Sequence, residues 1–161
     1  MVKNSKNFLI KLILLISIIA LVSAFFIEYV LGHQPCNLCI LERIPYLLAI
    51  IIILLNFKFS HYEKFFILLL SIIFLAGAII SLYHLGIEQG FIKESFVCDL
   101  KNSSKILSKE EILQQLQKKM VSCKDVTFKI FGFSLTTLNI IISLLISVVF
   151  TKIYLSYEKN K

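Results

Sequence analysis

Four cysteines carry most of the chemistry this sequence offers. Two of them form a Cys-x-x-Cys pair within Gln34-Pro35-Cys36-Asn37-Leu38-Cys39-Ile40-Leu41-Glu42-Arg43. A bridge between such close neighbours closes a ring too small to constrain an unfolded chain by much, because disulfide stabilisation grows with loop length. The pair is therefore a poor staple, and its usual uses are redox exchange and metal binding. A helix starting at about Cys39 puts that sulfur on a helix N-terminus, where the dipole favours a thiolate. Arg43 follows one turn later on the same face and adds a second cationic influence. The expectation is a reactive sulfur at Cys39. Cys98 and Cys123 are far enough apart for closure of their loop to contribute about 3 kcal/mol in the chain-entropy treatment. Alone, that pair reads as structural. Beside the first it suggests a relay, with one pair meeting a soluble partner and the other an electron acceptor at a bilayer. A zinc site with all four cysteines as ligands is the rival use, but there is no second Cys-x-x-Cys, and no metal is expected.

The elements that must position these residues are apolar. The chain has 161 residues, of which 58% are hydrophobic, against roughly 45–50% apolar in a soluble domain. The excess is gathered in blocks, as in a polytopic membrane protein. Net charge is +7, with 17 basic and 10 acidic residues. The lysines flank apolar runs and form no stripe with interleaved aromatics, so nucleic acid is not an expected partner. With 5 glycines and 2 prolines, collagen-like and disordered classes are excluded.

The spacing predicts an all-α membrane protein, a bundle of four transmembrane helices in one integral membrane domain, 1–161. The spans are expected at about 10–31, 40–57, 65–85 and 131–154, with outer loops at about 32–39 and 86–130. Lys3, Lys6 and Lys11 imitate a signal-peptide n-region. The apolar run behind them exceeds the 7–15 residues of an h-region, which predicts an uncleaved span. Glu42, Arg43 and Pro45 fall in the first turns of the second span, where proline is tolerated. Ala76, Gly77, Ala78 and Ser81 permit close helix contact in the third, and Asn139, Ser143, Ser147 and Thr151 make a polar stripe in the fourth. In the long loop, Ser108-Lys109-Glu110-Glu111 reads as a capping box before Ile112, Leu113, Leu116 and Met120, predicting a short amphipathic helix. Basic residues divide almost evenly between the two sides. All four cysteines fall on one side, which an oxidising compartment suits. The termini are expected in the cytoplasm and the cysteine loops outside.

The chain resembles the DsbB family of membrane disulfide-generating proteins. The resemblance rests on Pro35-Cys36-Asn37-Leu38-Cys39-Ile40-Leu41-Glu42-Arg43, Tyr83-His84-Leu85-Gly86-Ile87-Glu88, Cys98-Asp99, Cys123-Lys124-Asp125-Val126, Phe131-Gly132-Phe133-Ser134 and Asn139. The family usually carries Pro-Trp where this chain has Thr127-Phe128, a departure that touches no cysteine. The resemblance implies a multi-pass protein of the bacterial inner membrane with periplasmic cysteine loops. It implies that a reduced DsbA-like thioredoxin-fold protein attacks a Cys98–Cys123 disulfide at Cys98. Cys123 then exchanges with a Cys36–Cys39 disulfide, releasing Cys39, which hands two electrons to a quinone (ubiquinone or menaquinone) from the membrane pool. Arg43 and His84 are the implied quinone contacts. Glu88 reads either as orienting His84 on a helix or as simply solvated, while Glu42 and Asn139 read as structural.

Two other readings are weighed. A relative of vitamin K epoxide reductase also has four spans and a Cys-x-x-Cys, but that motif lies late in the chain there. A non-enzymatic four-span scaffold with two structural disulfides predicts that Cys36 and Cys39 are inert to reduced carriers.

Overall fold

A computed structural model describes residues 2–93, 123, 129–130 and 133–159. Helix α1 spans Val2–Tyr29, α2 Asn37–Leu41, α3 Ile44–Lys58, α4 Glu63–Glu88 and α5 Leu135–Lys159. One turn of 3-10 helix, Ser60–Tyr62, joins α3 to α4. Four stretches are long and apolar enough to cross a bilayer: Lys6–Tyr29, Asn37–Lys58, Glu63–Glu88 and Leu135–Ser156. The described residues form a helical bundle with one two-residue ladder, the architecture of a multi-pass membrane protein. The expected amphipathic helix after Ser108 lies outside the described residues.

At one end of the bundle, Lys6 pairs with Glu63 at 2.8 Å, and the Lys64 ammonium lies over the Tyr154 ring. The start of α1, the start of α4 and the end of α5 therefore meet there. The described cysteines, Cys36, Cys39 and Cys123, lie at the other end.

Packing follows the small and polar residues. Gly77, Ala78 and Ser81 are buried, whereas Ala76 faces outward. A Cβ on Gly77 would stand 2.9 Å from Pro45 Cγ and 3.9 Å from Ser143 Oγ, so three helices converge at that glycine. The polar stripe of α5 lies against α4 and α3. Asn139 donates to Ser81 Oγ at 2.7 Å, Ser143 lies 3.4 Å from the Tyr46 hydroxyl, Ser147 donates to the Ser71 carbonyl, and Thr151 meets Ser71 Oγ at 2.8 Å. In hydrocarbon such groups have no water to turn to, so they pair across helices. Between these polar contacts, Ile53, Ile67, Leu70, Phe74 and Phe150 form the buried apolar core. Leu75, Ile79, Leu82, Leu145 and Val148 face outward, as lipid-facing side chains do.

The first and third helices, Val2–Tyr29 and Glu63–Glu88, are shifted or extended relative to the expected spans, and the second and fourth differ in ways that shape the site. The second span is a broken helix: α2 ends at Leu41, and α3 begins at Ile44. Pro45 has no N–H to give, and its ring conflicts with the carbonyl four residues back. The interruption therefore falls at Glu42 and Arg43. The span also starts earlier than expected, with Cys36 as the N-cap of α2. The fourth helix starts at Leu135, later than expected, because Lys129–Ile130 and Phe133–Ser134 pair in an antiparallel ladder, Lys129↔Ser134 and Ile130↔Phe133. The Thr137 amide then donates to Ser134 Oγ at 3.3 Å, a serine cap on the first turn.

Candidate functional site

The site is built at the N-terminus of α2. Cys36 is buried, and its sulfur accepts the Cys39 amide at 3.3 Å and lies 2.9 Å from Cys39 Sγ. Both cysteines are free thiols. His84 of α4, only 2% exposed, brings Nε2 to 3.5 Å from Cys36 Sγ. The broken helix gives Glu42 its position. Glu42 Oε1 lies 2.8 Å from His84 Nδ1, and Oε2 accepts from Asn139 Nδ2 at 2.9 Å. With the carboxylate accepting, Nδ1 carries a proton, and Nε2 faces the sulfurs. Asn139 Oδ1 in turn accepts from the Tyr46 hydroxyl. A hydrogen-bonded chain thus runs from Cys36 through His84, Glu42 and Asn139 to Tyr46. Thr136 lies 3.4 Å from His84 Nδ1 and donates to Glu88 at 2.7 Å.

The hydrogen bond from the Cys39 thiol pulls the Cys36 pKa down from the ordinary thiol range to about 4, assisted by the His84 hydrogen bond and charge and opposed by burial. The Cys39 thiol, the Cys39 amide and His84 all converge on Cys36, so this geometry favours Cys36 as the thiolate of the reduced pair, where a helix starting at Cys39 would favour Cys39. The reason is local. The helix begins one residue after Cys36, so that its sulfur receives the free first-turn amide.

Arg43 lines the same cavity as Cys39 and is held there from α1. Its Nη1 pairs with Glu28 Oε2 at 2.5 Å, and its guanidinium lies over the Phe25 ring. Both partners belong to α1. A charge such as Glu28 inside an apolar span is expensive unless paired, and that interruption was the available signal for a residue the sequence reasoning did not single out. Glu88, expected to orient His84, bonds Thr136, and Glu42 holds the imidazole instead. Nothing local to Glu42 announces that contact, which joins two helices distant in sequence.

A cavity of about 430 Å³ opens beside these groups, within the roughly 300–1,000 Å³ of small-molecule sites. Ile16, Ala20 and Leu138 contribute apolar wall, while Cys39, Arg43 and His84 bring polar groups to it. His33, which precedes the cysteine motif, lines it too. Cys123 also borders the cavity, is disulfide-bonded and packs with Cys36, Leu38 and Ile87 in one buried cluster. Three of the four predicted cysteines are thus brought together, with Arg43 and His84 on the same cavity. Cys98 lies outside the described residues.

A buried free dithiol, a neighbouring disulfide and an apolar intramembrane cavity define the class, a membrane thiol oxidoreductase. A family model described as "Disulfide bond formation protein DsbB" matches residues 6–153. The chain belongs to the DsbB family. It is also 32% identical over 162 residues to the "Uncharacterized protein RP370" of Rickettsia prowazekii (strain Madrid E), covering 99% of this chain and 94% of that one. No solved structure matches.

Proposed function

We propose that this chain reoxidises a DsbA-like thioredoxin-fold carrier in the periplasm and delivers the electrons to a membrane quinone, ubiquinone or menaquinone. The observation that carries the reading is the packing of disulfide-bonded Cys123 against the Cys36–Cys39 dithiol at the edge of an apolar cavity.

The carrier's thiolate attacks Cys98 and breaks the Cys98–Cys123 bond, giving a mixed disulfide. The carrier's second thiolate resolves it, so the carrier leaves oxidised and Cys98 and Cys123 are left reduced. The Cys123 thiolate attacks the adjacent Cys36 of an oxidised Cys36–Cys39 pair, and Cys39 leaves as a thiolate. Cys98 then attacks Cys123, which restores the Cys98–Cys123 disulfide and leaves both Cys36 and Cys39 reduced. The bonded Cys123 and free Cys36 and Cys39 suit this stage of the cycle. In closing the Cys36–Cys39 bond again, the pair gives up two electrons and its protons.

Quinone, when bound, supplies a lipid-soluble sink for two electrons and two protons. The residues present fit such a ring: the walls are apolar, and Arg43 and His84 would hold its oxygens. His84, backed by Glu42, is placed to hold a proton at Nε2, within reach of the Cys36 sulfur.

The test is trapping. A Cys123→Ser variant mixed with a carrier lacking its second cysteine accumulates a mixed disulfide through Cys98, read by non-reducing electrophoresis and mass spectrometry. Trapping through Cys36 or Cys39 instead, or no trapping, contradicts this order of transfer.

A further inference from the structure

The inner dithiol has a second chemical capacity, which involves neither carrier nor quinone. Cys36 Sγ, Cys39 Sγ and a ring nitrogen of His84 all lie within 4.8 Å of one another. These are the donor types that select zinc-class divalent ions. With metal–sulfur bonds near 2.3 Å and metal–nitrogen near 2.05 Å, a tetrahedral ion holds its sulfurs about 3.8 Å apart and sulfur and nitrogen about 3.6 Å apart. Cys36 Sγ and His84 Nε2 already stand at 3.5 Å. The two sulfurs, now 2.9 Å apart, need to part by roughly 0.9 Å to reach that spacing, a rotation of half-buried Cys39.

A second feature points to the same ligand. Metal-binding histidines commonly donate their remote N–H to a carboxylate, which fixes the tautomer and the ring plane. Here Glu42 lies 2.8 Å from Nδ1 and is itself fixed by Asn139, so Nε2 is the nitrogen turned to the sulfurs. The cavity reaches Cys36, Cys39 and His84 and provides the entry path and space for water as fourth ligand.

We propose that the reduced Cys36–Cys39 dithiol and His84 form a site of two thiolates and one imidazole for a zinc-class divalent cation, filled only while the two sulfurs are reduced. Binding moves no electrons. The cation displaces the proton shared between the sulfurs and the proton at His84 Nε2, both of which leave to solvent, and two thiolates balance its two positive charges. Oxidation of the pair to a disulfide by a two-electron acceptor, the quinone of the proposed cycle or diamide in the test below, removes both thiolate ligands and releases the ion. A filled site, conversely, holds both sulfurs away from disulfide exchange.

The experiment uses the full chain in detergent, carrying Cys98→Ser and Cys123→Ser so that only the inner pair can bind. After anaerobic reduction and removal of reductant, it is titrated with Cd2+, read by thiolate-to-metal charge-transfer absorbance. One Cd2+ per chain is expected, with none after oxidation of the same sample by diamide. Glu42→Gln should weaken binding about 10–100-fold, as loss of a supporting carboxylate does, and His84→Ala should weaken it further. X-ray absorption of Zn2+ bound to the reduced wild-type chain needs no site variant, and a shell of two sulfurs and one imidazole nitrogen is expected. No charge-transfer band in the reduced protein, equal binding after oxidation, or an all-sulfur or all-oxygen shell overturns the proposal. Carrier oxidation and quinone reduction enter none of these readouts.

Discussion

At the scale of single residues, the Cys36 sulfur is where donors converge: the Cys39 thiol, the Cys39 amide and His84. A thiol with a lowered pKa is ionised at every pH above it, and the thiolate is the nucleophile. Alkylation of Cys36 in the reduced protein should stay nearly flat through neutral pH and fall as pH drops through about 4. His84→Ala should move that midpoint upward, as iodoacetamide labelling read by mass spectrometry will measure. A midpoint near the free-thiol value of about 8.5 contradicts the geometry. The Arg43–Glu28 pair gives a second prediction. A charge-assisted hydrogen bond contributes about 1.5–3 kcal/mol, so a double-mutant cycle with Arg43→Gln and Glu28→Gln should return coupling in that range by unfolding in detergent. The cysteine motif and Arg43 were legible in the sequence because their types and spacing are chemical signals, and His84 was legible only through the family resemblance. The identity of the anionic sulfur was not, because it turns on a helix boundary lying a few residues earlier. The Glu42–His84 contact was not either, because tertiary packing alone creates it.

At the scale of elements, the broken second span and the close approach of α3, α4 and α5 position the site. Pro45 does both jobs. It interrupts the helix so that Glu42 reaches His84, and its ring fills the space over Gly77. Gly77→Ala places a methyl 2.9 Å from Pro45 Cγ, and overpacking of this kind costs about 1–3 kcal/mol. Thermal unfolding in detergent should show that loss, whereas Ala76→Leu, on the outward face, should stay within about 0.5 kcal/mol. Ser134→Ala should cost about 1 kcal/mol through the lost cap of α5. The four spans themselves were legible, since apolar runs of this length have one solution in a bilayer. The polar stripe of α5 was legible for the same reason, as its four-residue period puts it on one helix face. The interruption was not, because a proline beside an apparent helix start reads equally well as a tolerated first-turn residue.

At the scale of the whole molecule, Cys36, Cys39 and Cys123 sit at one end of the bundle and the Lys6–Glu63 pair at the other. This polarity separates a redox end from a charged end. Periplasmic orientation of the redox end predicts that a membrane-impermeant maleimide labels reduced Cys98 in intact spheroplasts, while a C-terminal tag resists added protease. Labelling only after lysis contradicts that orientation. The central claim is electron flow from carrier to quinone through both cysteine pairs. Its most direct test is quinone reduction by the purified protein in detergent, followed by absorbance with a reduced DsbA-like protein as donor. Steady turnover in the wild type, falling to background in both Cys39→Ser and Cys98→Ser, is the predicted result. Normal turnover in either variant, or none in the folded wild type with ubiquinone and menaquinone analogues alike, contradicts it.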